Sequence, residues 1–311
     1  MNNFWQDLPR PFFALAPMDG VTDVTFRHVV ARAVRPDVFF SEFTSTATFF
    51  SERGRSSTDG RLAFMPEEQP MVAQIWGTDP EKFAFMAREL AARGFAGIDI
   101  NMGCPIKNVV KIGACSALIN TPSLAAEIIT ATKEGGIPVS VKTRIGFKTI
   151  QTEEWLGFLL NQDIAALTVH GRTQREQSRV PAHWDEIAKV VALRDQLAPR
   201  TIVMGNGDVA NRTEGLQRIK ETGVDGIMIG RGVFHDVFCF EPEPRQHTHK
   251  ELMDLLAYHL DLWEASPHAL PFSPLKRFFK IYVRDQHDAT TLRAQLMQTE
   301  SIAEVRQLLH L

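Results

Sequence analysis

The chain has 311 residues, of which 44% are hydrophobic and 23% are charged. This composition is typical of a globular protein and supplies enough apolar residues for a sizeable core. The 34 Lys and Arg residues nearly balance the 37 Asp and Glu residues, which gives a formal net charge of -3. A generally basic, polyanion-binding chain is thereby excluded, and any nucleic-acid surface must be a local patch.

The cysteines and the N-terminus indicate the compartment. Cys104, Cys115 and Cys239 are odd in number and lack the spacing of a disulfide framework, which fits a reducing environment. Asp7 and Pro9 precede the first apolar run, unlike a signal peptide. No uncharged apolar run approaches the roughly 18 residues that cross a bilayer. We expect a soluble cytoplasmic protein without membrane contact. We also expect a monomer, and no metal site is predicted.

Short apolar, β-branched runs alternate with segments of helical period. Most of the runs are apolar throughout, as strands buried on both faces should be. The predicted strands are Phe12–Ala16, Val38–Phe43, Met71–Ile75, Gly97–Asn101, Val139–Thr143, Ala166–His170, Thr201–Gly205 and Gly226–Ile229. The helices predicted between them include Pro80–Arg93, Ser123–Lys133, His183–Gln196 and Arg212–Thr222. This pattern predicts an α/β fold, a (β/α)8 TIM barrel. A doubly wound open sheet is the alternative, although it needs no eighth strand.

The composition changes after Phe240. A polar, proline-marked linker, Glu241–His247, is followed by apolar residues at helical spacing without strand runs. One helix face is formed by Leu252, Leu255, Leu256, Leu260 and Trp263. We predict a catalytic barrel over residues 1–240 and a small all-helical C-terminal domain over residues 245–311.

Polar residues follow nearly every predicted strand. In a barrel the C-terminal ends of all strands face one mouth, so these residues should converge. They are Asp19, Glu42, Gln74, Asn101, Cys104, Lys142, Arg144, His170, Arg172, Asn206, Asp208 and Arg231. Each has an ordinary explanation by itself, such as a helix cap or a lysine that extends to solvent. Their joint occurrence predicts an active site.

Cys104 lies in the sequence Asn101-Met-Gly-Cys-Pro at the exit of the fourth strand. Gly103 gives the turn conformational freedom, and Pro105 stops the strand from continuing. The thiol would thus be presented at the mouth. The alternative is that Cys104 is a small buried hydrophobe, as most free cysteines are.

Two glycine-rich turns predict a phosphate site. Gly205-Asn206-Gly207-Asp208 follows the seventh strand, and Gly230-Arg231-Gly232 follows the eighth. Backbone N–H groups of these two loops are the usual anion ligands of such barrels. Arg231 adds a charge-assisted donor.

Six ordered motifs resemble those of the tRNA-dihydrouridine synthases, and they cover the whole barrel. They are Leu15-Ala-Pro-Met-Asp-Gly-Val-Thr-Asp, Asp99-Ile-Asn-Met-Gly-Cys-Pro, Val141-Lys-Thr-Arg-Ile-Gly, Thr168-Val-His-Gly-Arg-Thr, Gly205-Asn-Gly-Asp and Met228-Ile-Gly-Arg-Gly. The tail sequence Ser273-Pro-Leu-Lys-Arg-Phe-Phe-Lys-Ile-Tyr is similar to that family's helical RNA-binding domain.

The resemblance implies reduction of the C5–C6 double bond of particular tRNA uridines, with FMN as cofactor, NADPH as reductant and Cys104 as proton donor. It implies FMN contacts from Ala16, Pro17, Met18, Gln74, Lys142, His170, Asn206, Gly207, Asp208, Gly230 and Arg231. It implies substrate contacts from Asn101, Arg144 and Arg172, and tRNA contacts from Lys276, Arg277 and Lys280, which we expect to lie away from the mouth.

The sequence leaves the interpretation of several residues, and two alternative functions, open. Cys115 stands where small residues would suit, and Ser45–Met65 is irregular, charged and glycine-bearing, which suggests an active-site loop. Its Phe49 and Phe50 could belong to the core or meet RNA. The basic tail residues could be an ordinary solvated helix face. One rival function is an FMN-dependent dehydrogenase of a free pyrimidine, similar to dihydroorotate dehydrogenase. Another is a tRNA-binding protein with an inactive barrel.

Overall fold

The computed structural model describes residues 3–267, 271–284 and 288–311. Within these residues the strands are β1 Phe12–Leu15, β2 Phe39–Phe40, β3 Thr44–Ser45, β4 Met71–Trp76, β5 Gly97–Met102, β6 Val139–Arg144, β7 Ala166–His170, β8 Ile202–Asn206 and β9 Gly226–Ile229. Eight of them are parallel and form a nearly closed barrel in the order β1-β9-β8-β7-β6-β5-β4-β2, and the short β3 pairs with β4. A parallel bridge between Ala14 and Val38 links β1 to the β2 segment. The predicted TIM barrel is confirmed.

Sixteen α-helices lie around the barrel and in the C-terminal part of the described chain. They are α1 Phe4–Asp7, α2 Val24–Val34, α3 Thr46–Phe50, α4 Glu52–Leu62, α5 Pro80–Ala92, α6 Lys107–Lys111, α7 Pro122–Thr132, α8 Gly157–Leu160, α9 Trp184–Leu197, α10 Arg212–Thr222, α11 Gly232–His235, α12 His249–Glu264, α13 Phe272–Leu275, α14 Phe279–Tyr282, α15 Ala289–Gln298 and α16 Ile302–Leu309. The 3-10 turns in the described chain are Pro66–Glu68, Cys115–Asn120, Lys133–Gly135 and Lys276–Phe278, and Thr152–Leu156 is a π-helical turn.

The N-terminal ends of the strands are closed by aromatic packing. Trp5 of α1 has no exposed surface, and its ring centroid lies 6.2 Å from those of both Phe12 and Phe40. These rings belong to a core cluster that also includes Met204 and Met228 of β8 and β9. Because this end is filled by side chains, the barrel opens at the opposite mouth, where the strands end.

The segment Ser45–Met65, expected to be an irregular loop, is largely helical. The hydroxyl of Ser45 accepts the Thr48 N–H at 3.2 Å at the start of α3, and that of Ser51 accepts the Gly54 N–H at 3.1 Å at the start of α4. Side-chain caps of this kind satisfy N–H groups that a helix leaves free. The high charge of the segment concealed two short capped helices, and the prediction was wrong.

The two aromatic residues of this segment have different environments. Phe49 is fully buried, whereas Phe50 is 41% exposed and packs edge-on against Phe85 of α5. Gly54 is needed where α3 meets α4, because a Cβ there would lie 1.9 Å from the carbonyl oxygen of Thr48. Phe49 therefore belongs to the core, and Phe50 lies at its edge.

The C-terminal helices pack directly onto the barrel's α2. The Phe26 ring lies 4.6 Å from that of Phe278 and 5.9 Å from that of His259 on α12, centroid to centroid. In the described part of the chain no single helix has the length and apolar character of a membrane span. One bent pair, residues 107–120 and 122–135, meets the length and composition criteria.

Candidate active site

A cavity of about 740 Å³ occupies the mouth of the barrel. Its wall is built from the residues that follow the strands. All twelve residues predicted to be catalytic or to bind cofactor line it: Ala16, Pro17, Met18, Gln74, Cys104, Lys142, His170, Asn206, Gly207, Asp208, Gly230 and Arg231. Asn101 and Arg144 line it as well. The topology thus brings together residues that are more than 200 positions apart in the sequence.

A buried hydrogen-bond network fixes the floor of this cavity. Asp99 accepts the amide of Gln74 at 2.7 Å and the hydroxyl of Ser140 at 2.7 Å, and Gln74 in turn accepts the amide of Asn101 at 2.9 Å. Burial raises the pKa of Asp99 to about 6, although the bonds from Ser140 and Gln74 oppose that rise. Asp99 anchors the two amide side chains, a role that its position within an apolar strand did not reveal.

The loop that carries Cys104 is held from both sides. The Asn101 side-chain oxygen accepts the N–H groups of Gly103 and Cys104 at 3.0 and 2.9 Å. The Arg144 Nε donates to the carbonyl of Gly103 at 2.7 Å. The Asn-x-Gly-Cys spacing therefore has a local physical basis, since the asparagine closes the turn that presents the thiol.

The Cys104 thiol is partly exposed on the cavity wall. A hydrogen bond with Cys115, the nearby Ile106 N–H and the charges of Arg144 and Lys142 outweigh the effect of burial, and lower the pKa of Cys104 to about 7. Exposed thiols in electropositive surroundings are the reactive ones, whereas structural thiols are buried and inert. The environment of Cys104 is of the first kind.

Cations surround the rest of the cavity. Burial, with the charge of Arg144, lowers the pKa of Lys142 to about 8, and burial lowers that of Arg144 to about 10. The Lys142 ammonium donates to the Asn206 side chain at 3.2 Å. Several positive charges in a confined space favour an anionic ligand.

His170 is neutral in this setting. Burial and the neighbouring cations lower its pKa well below the usual value. Its Nε2 lies 3.2 Å from an Arg172 guanidinium nitrogen, which can only donate, so Nε2 is the acceptor. The proton of the imidazole is therefore on Nδ1.

Arg172, predicted to lie beside the substrate, is outside the lining of the cavity and only 2% exposed. Its guanidinium pairs with Asp208, contacts His170, and donates through Nε to the carbonyl of Val180 at 2.5 Å. These contacts use one N–H on each of the three guanidinium nitrogens, and they orient Asp208 and His170, two residues of the cavity wall.

The two glycine turns form a narrow cradle beside Arg231. A Cβ on Gly207 (φ +130°) would lie 2.8 Å from that of Ala182, and one on Gly232 would lie 2.5 Å from the carbonyl oxygen of Ala210. Arg231 donates to Asp208 at 3.0 Å and is otherwise exposed to the cavity. Only glycine fits at these two positions, where the backbone of the turns comes this close to neighbouring residues.

The basic tail residues lie outside the cavity, but they are not all remote from it. Arg277 donates to the carbonyl of Gly20 at 2.5 Å, directly after Met18 and Asp19 of the first loop. Lys276 donates to the carbonyl of Met297 at 2.9 Å. The expectation that the whole tail lies away from the mouth was therefore wrong for Arg277, which connects the tail to the cavity rim.

A charged cluster at this rim was not foreseen in full. Arg61 of α4 donates to Asp19 at 2.5 Å and lies 3.4 Å from Glu42, whose carboxylate accepts the Gly20 N–H at 2.5 Å. Burial raises the pKa of Glu42, although Arg61 opposes this rise. No local pattern marks Arg61, because its partners are distant in sequence. The cavity is also lined by residues that no sequence pattern marked: Phe43, Pro105, Ile106, Gln177, Ser178, Met228 and His235.

Comparison with known proteins agrees with this geometry. A family model described as dihydrouridine synthase matches residues 14–310. The chain is 55% identical to a probable tRNA-dihydrouridine synthase of Staphylococcus aureus (strain COL) over 310 residues, which is 99% of this chain and 94% of that protein. It is 53% identical to probable tRNA-dihydrouridine synthase 2 of Bacillus subtilis (strain 168), and the match covers 99% of this chain and 95% of that protein.

Among solved structures, histamine dehydrogenase from Rhizobium sp. 4-9 matches with a TM-score of 0.50 and 14% sequence identity. The match covers 73% of this chain and 44% of that one. At this level of identity the likeness concerns the barrel fold alone.

Proposed function

Since the chain belongs to the dihydrouridine synthase family and is a flavin-dependent oxidoreductase, we propose that its flavin is FMN, that NADPH is the reductant, and that Cys104 is the proton donor. As a tRNA-dihydrouridine synthase, it reduces the C5–C6 bond of uridines in tRNA. The observation that carries the proposal is the single cavity lined by Cys104 and by every predicted cofactor residue.

The cavity fits a flavin mononucleotide. Its volume of about 740 Å³ falls in the range of about 300–1,000 Å³ common for such ligands. Asn206, Gly207, Asp208, Gly230 and Arg231, which line one part of the cavity, would hold the ribityl-phosphate end. Gln74, Lys142 and His170 would contact the ring end. The flavin, when bound, supplies the hydride that adds to C6 of the uracil.

The protein's own residues provide the proton and the charge balance. Cys104 holds a proton on a turn fixed by Asn101 and Arg144, at a thiol suited to general-acid catalysis near neutral pH. The Lys142 ammonium stabilises negative charge that develops in the cavity. His170, held neutral by burial and by the neighbouring cations, can donate from Nδ1 without adding to the positive charge.

The free-pyrimidine alternative shares the barrel and phosphate loops but does not need basic residues on the tail. We propose that residues 1–240 form the FMN-binding catalytic domain and that residues 245–311 bind tRNA. A uridine inside folded tRNA must be swung out to reach the mouth, and a second contact surface on the tail would orient the molecule for this. We also propose that the enzyme is cytoplasmic and monomeric and that it does not contact a membrane.

The cofactor assignment predicts that the purified protein is yellow and holds one FMN per chain. The paired glycine loops and Arg231 should retain the phosphate, so FMN should bind much more tightly than riboflavin, which lacks it. Absorbance spectra and titration of the flavin-free protein with both compounds measure this. A protein that stays colourless with FMN, or that prefers riboflavin, would contradict the assignment.

The tail assignment predicts that Lys276→Ala with Lys280→Ala weakens tRNA binding but leaves oxidation of NADPH by the bound flavin unchanged. Each lost phosphate contact should flatten the log–log salt dependence of the binding constant by about 0.7–0.9. Arg277 is left intact here because its contact with Gly20 would alter the cavity rim. Affinity measured across salt concentrations is the test, and exposed Lys220 on α10 provides a control substitution to alanine. An unchanged affinity and slope would place the RNA surface elsewhere and favour the free-pyrimidine alternative.

A further inference from the structure

Five exposed cations lie on the loops that follow β5, β6 and β7, and the function proposed above does not use them. We call them the basic rim: Lys107, Lys111, Lys148, Arg175 and Arg179. The three loops, residues 103–112, 145–151 and 171–182, contain a single carboxylate, that of Glu176. This side of the mouth is therefore positive, although the whole chain has a formal net charge of -3.

The charges of the basic rim are not neutralised within the part of the chain that the structure describes, where none of the five forms an ion pair. Glu176 lies 3.1 Å from Nε2 of His183 instead. Arg179 donates to a main-chain carbonyl at 2.8 Å, which leaves its charge unbalanced. Elsewhere on the surface, Lys189 and Lys250 each pair with a carboxylate. The rim thus keeps a local excess of positive charge that an anionic partner can use.

Hydrogen bonds between the three loops hold the basic rim together. Arg144 joins the β5 and β7 loops, because its guanidinium donates to the carbonyl of Gly103 at 2.7 Å and to that of Gln177 at 3.0 Å. The β6 and β7 loops are joined through the main chain, where the Arg175 N–H donates to the Phe147 carbonyl at 3.0 Å. The cations therefore belong to one framework, and a polyanion can contact several of them at once.

The basic rim is continuous with the cavity and carries exposed apolar side chains. Ile106 directly precedes the first rim lysine, lines the cavity and is 52% exposed, and Ser178 of the β7 loop lines the cavity as well. Ile112 and Ile150, on the β5 and β6 loops, are 62% and 44% exposed. Apolar side chains beside a binding pocket can cover bases that lose their stacking partners when a nucleotide is swung out.

We propose that the basic rim binds the sugar–phosphate backbone of tRNA beside the target uridine. The inference rests on the proposed function. A uridine within an RNA chain reaches the mouth with a phosphate on each side, whereas a free pyrimidine has none. Lysine and arginine side chains bind such phosphates without reading the sequence.

The rim and the tail contact different parts of the tRNA. In the barrel, β5 lies three strands away from β1, by way of β2 and β4. The tail reaches the mouth on the β1 side, where Arg277 contacts Gly20. The substrate is therefore held from two directions around the cavity, and the target uridine lies between them.

Lys107→Gln combined with Lys111→Gln tests the proposal through the affinity for tRNA measured across salt concentrations. Each lost phosphate contact should flatten the log–log salt dependence by about 0.7–0.9, and the affinity at physiological salt should fall about tenfold or more. The matched control, Lys189→Gln with Lys220→Gln, removes the same charge from exposed positions on α9 and α10. Its affinity and slope should equal those of the wild type. Thermal unfolding identifies the variants that are folded.

Acetylation of lysines in the wild-type enzyme is a second measurement that needs no substitution. Bound tRNA should protect Lys107, Lys111 and Lys148 from a water-soluble acetylating reagent, whereas Lys220 should be labelled equally with and without tRNA. Mass spectrometry of the peptides quantifies the labelling. Rim lysines labelled equally in both states, or a folded double rim variant with wild-type affinity and slope, would overturn the proposal.

The double rim variant also tests the identity of the partner. Because α6 begins the bent helix pair that meets the criteria of a membrane span, binding to vesicles with anionic headgroups is measured in parallel. A variant that loses vesicle binding and keeps tRNA binding would overturn the choice of tRNA. Rim-dependent tRNA binding by an enzyme that forms no dihydrouridine would uphold the rim and count against the proposed function instead.

Discussion

Replacing Cys104 with alanine should slow the reduction of tRNA uridine by about 10²–10⁴-fold, the usual contribution of a general acid. Binding of flavin and tRNA should be nearly unchanged, because the loop keeps its bonds to Asn101 and Arg144, which involve main-chain atoms of Gly103 and Cys104. NADPH should still reduce the bound flavin at the wild-type rate. Single-turnover measurement of each half-reaction separates these effects.

Cys239→Ala is the control for this experiment, since it also removes a thiol but lies outside the cavity lining. Its rates should match those of the wild type in both half-reactions. The proton-donor assignment is wrong if Cys104→Ala reduces tRNA at close to the native rate. It is also wrong if the loss is confined to the reduction of flavin by NADPH.

Lys142→Met should slow reduction of the flavin by NADPH by about 10²–10³-fold, in line with the removal of one preorganised electrostatic group from a buried site. Methionine preserves much of the side-chain length and removes the charge. In the wild type, the rate should fall as pH rises through about 8, where Lys142 loses its proton. In Lys142→Met that decrease should be absent, since no charge remains to be lost.

The flavin absorbance in a stopped-flow experiment reports this half-reaction, and Cys104 takes no part in it. Lys220→Met, an exposed lysine on α10, is the matched control and should keep both the rate and the pH dependence. A decrease near pH 8 that persists in Lys142→Met would assign the titration to another group and remove Lys142 from this role.

The sequence was most informative where one physical constraint governs many residues. Strands buried on both faces must be apolar throughout, so all eight barrel strands were located to within a few residues of their observed bounds. Parallel strands in a barrel end at one mouth, so the polar residue after each strand could be assigned to one site. The turn from Asn101 to Pro105 could also be predicted, because the residues that form it are neighbours in the sequence.

Contacts between segments that are distant in the sequence could not be predicted in this way. Arg61 reaches Asp19 and Glu42 only because α4 folds over the first loop, and Arg277 reaches Gly20 across 257 positions. Asp99 resembled an ordinary member of an apolar strand until its hydrogen bonds to Gln74 and Ser140 were seen. Predicting such pairs requires the relative placement of whole elements, which periodicity does not encode.

The capped helices within Ser45–Met65 were missed for a different reason. Their signals, Ser45 and Ser51 as caps, are present in the sequence, but α4 is polar almost throughout and shows little apolar periodicity. Periodicity is the main indicator of a helix. Where apolar periodicity is weak, the capping residues are the remaining signal that a helix begins.

The proposed function is tested by measuring dihydrouridine in tRNA taken from a strain that lacks this protein. The tRNA is incubated with the purified enzyme and NADPH, digested, and analysed by mass spectrometry, and free uridine, uracil and orotate are tested in parallel. We expect new dihydrouridine at defined tRNA positions, with an equal amount of NADPH oxidised and little reduction of the free pyrimidines. Unchanged tRNA together with efficient reduction of a free pyrimidine would contradict it.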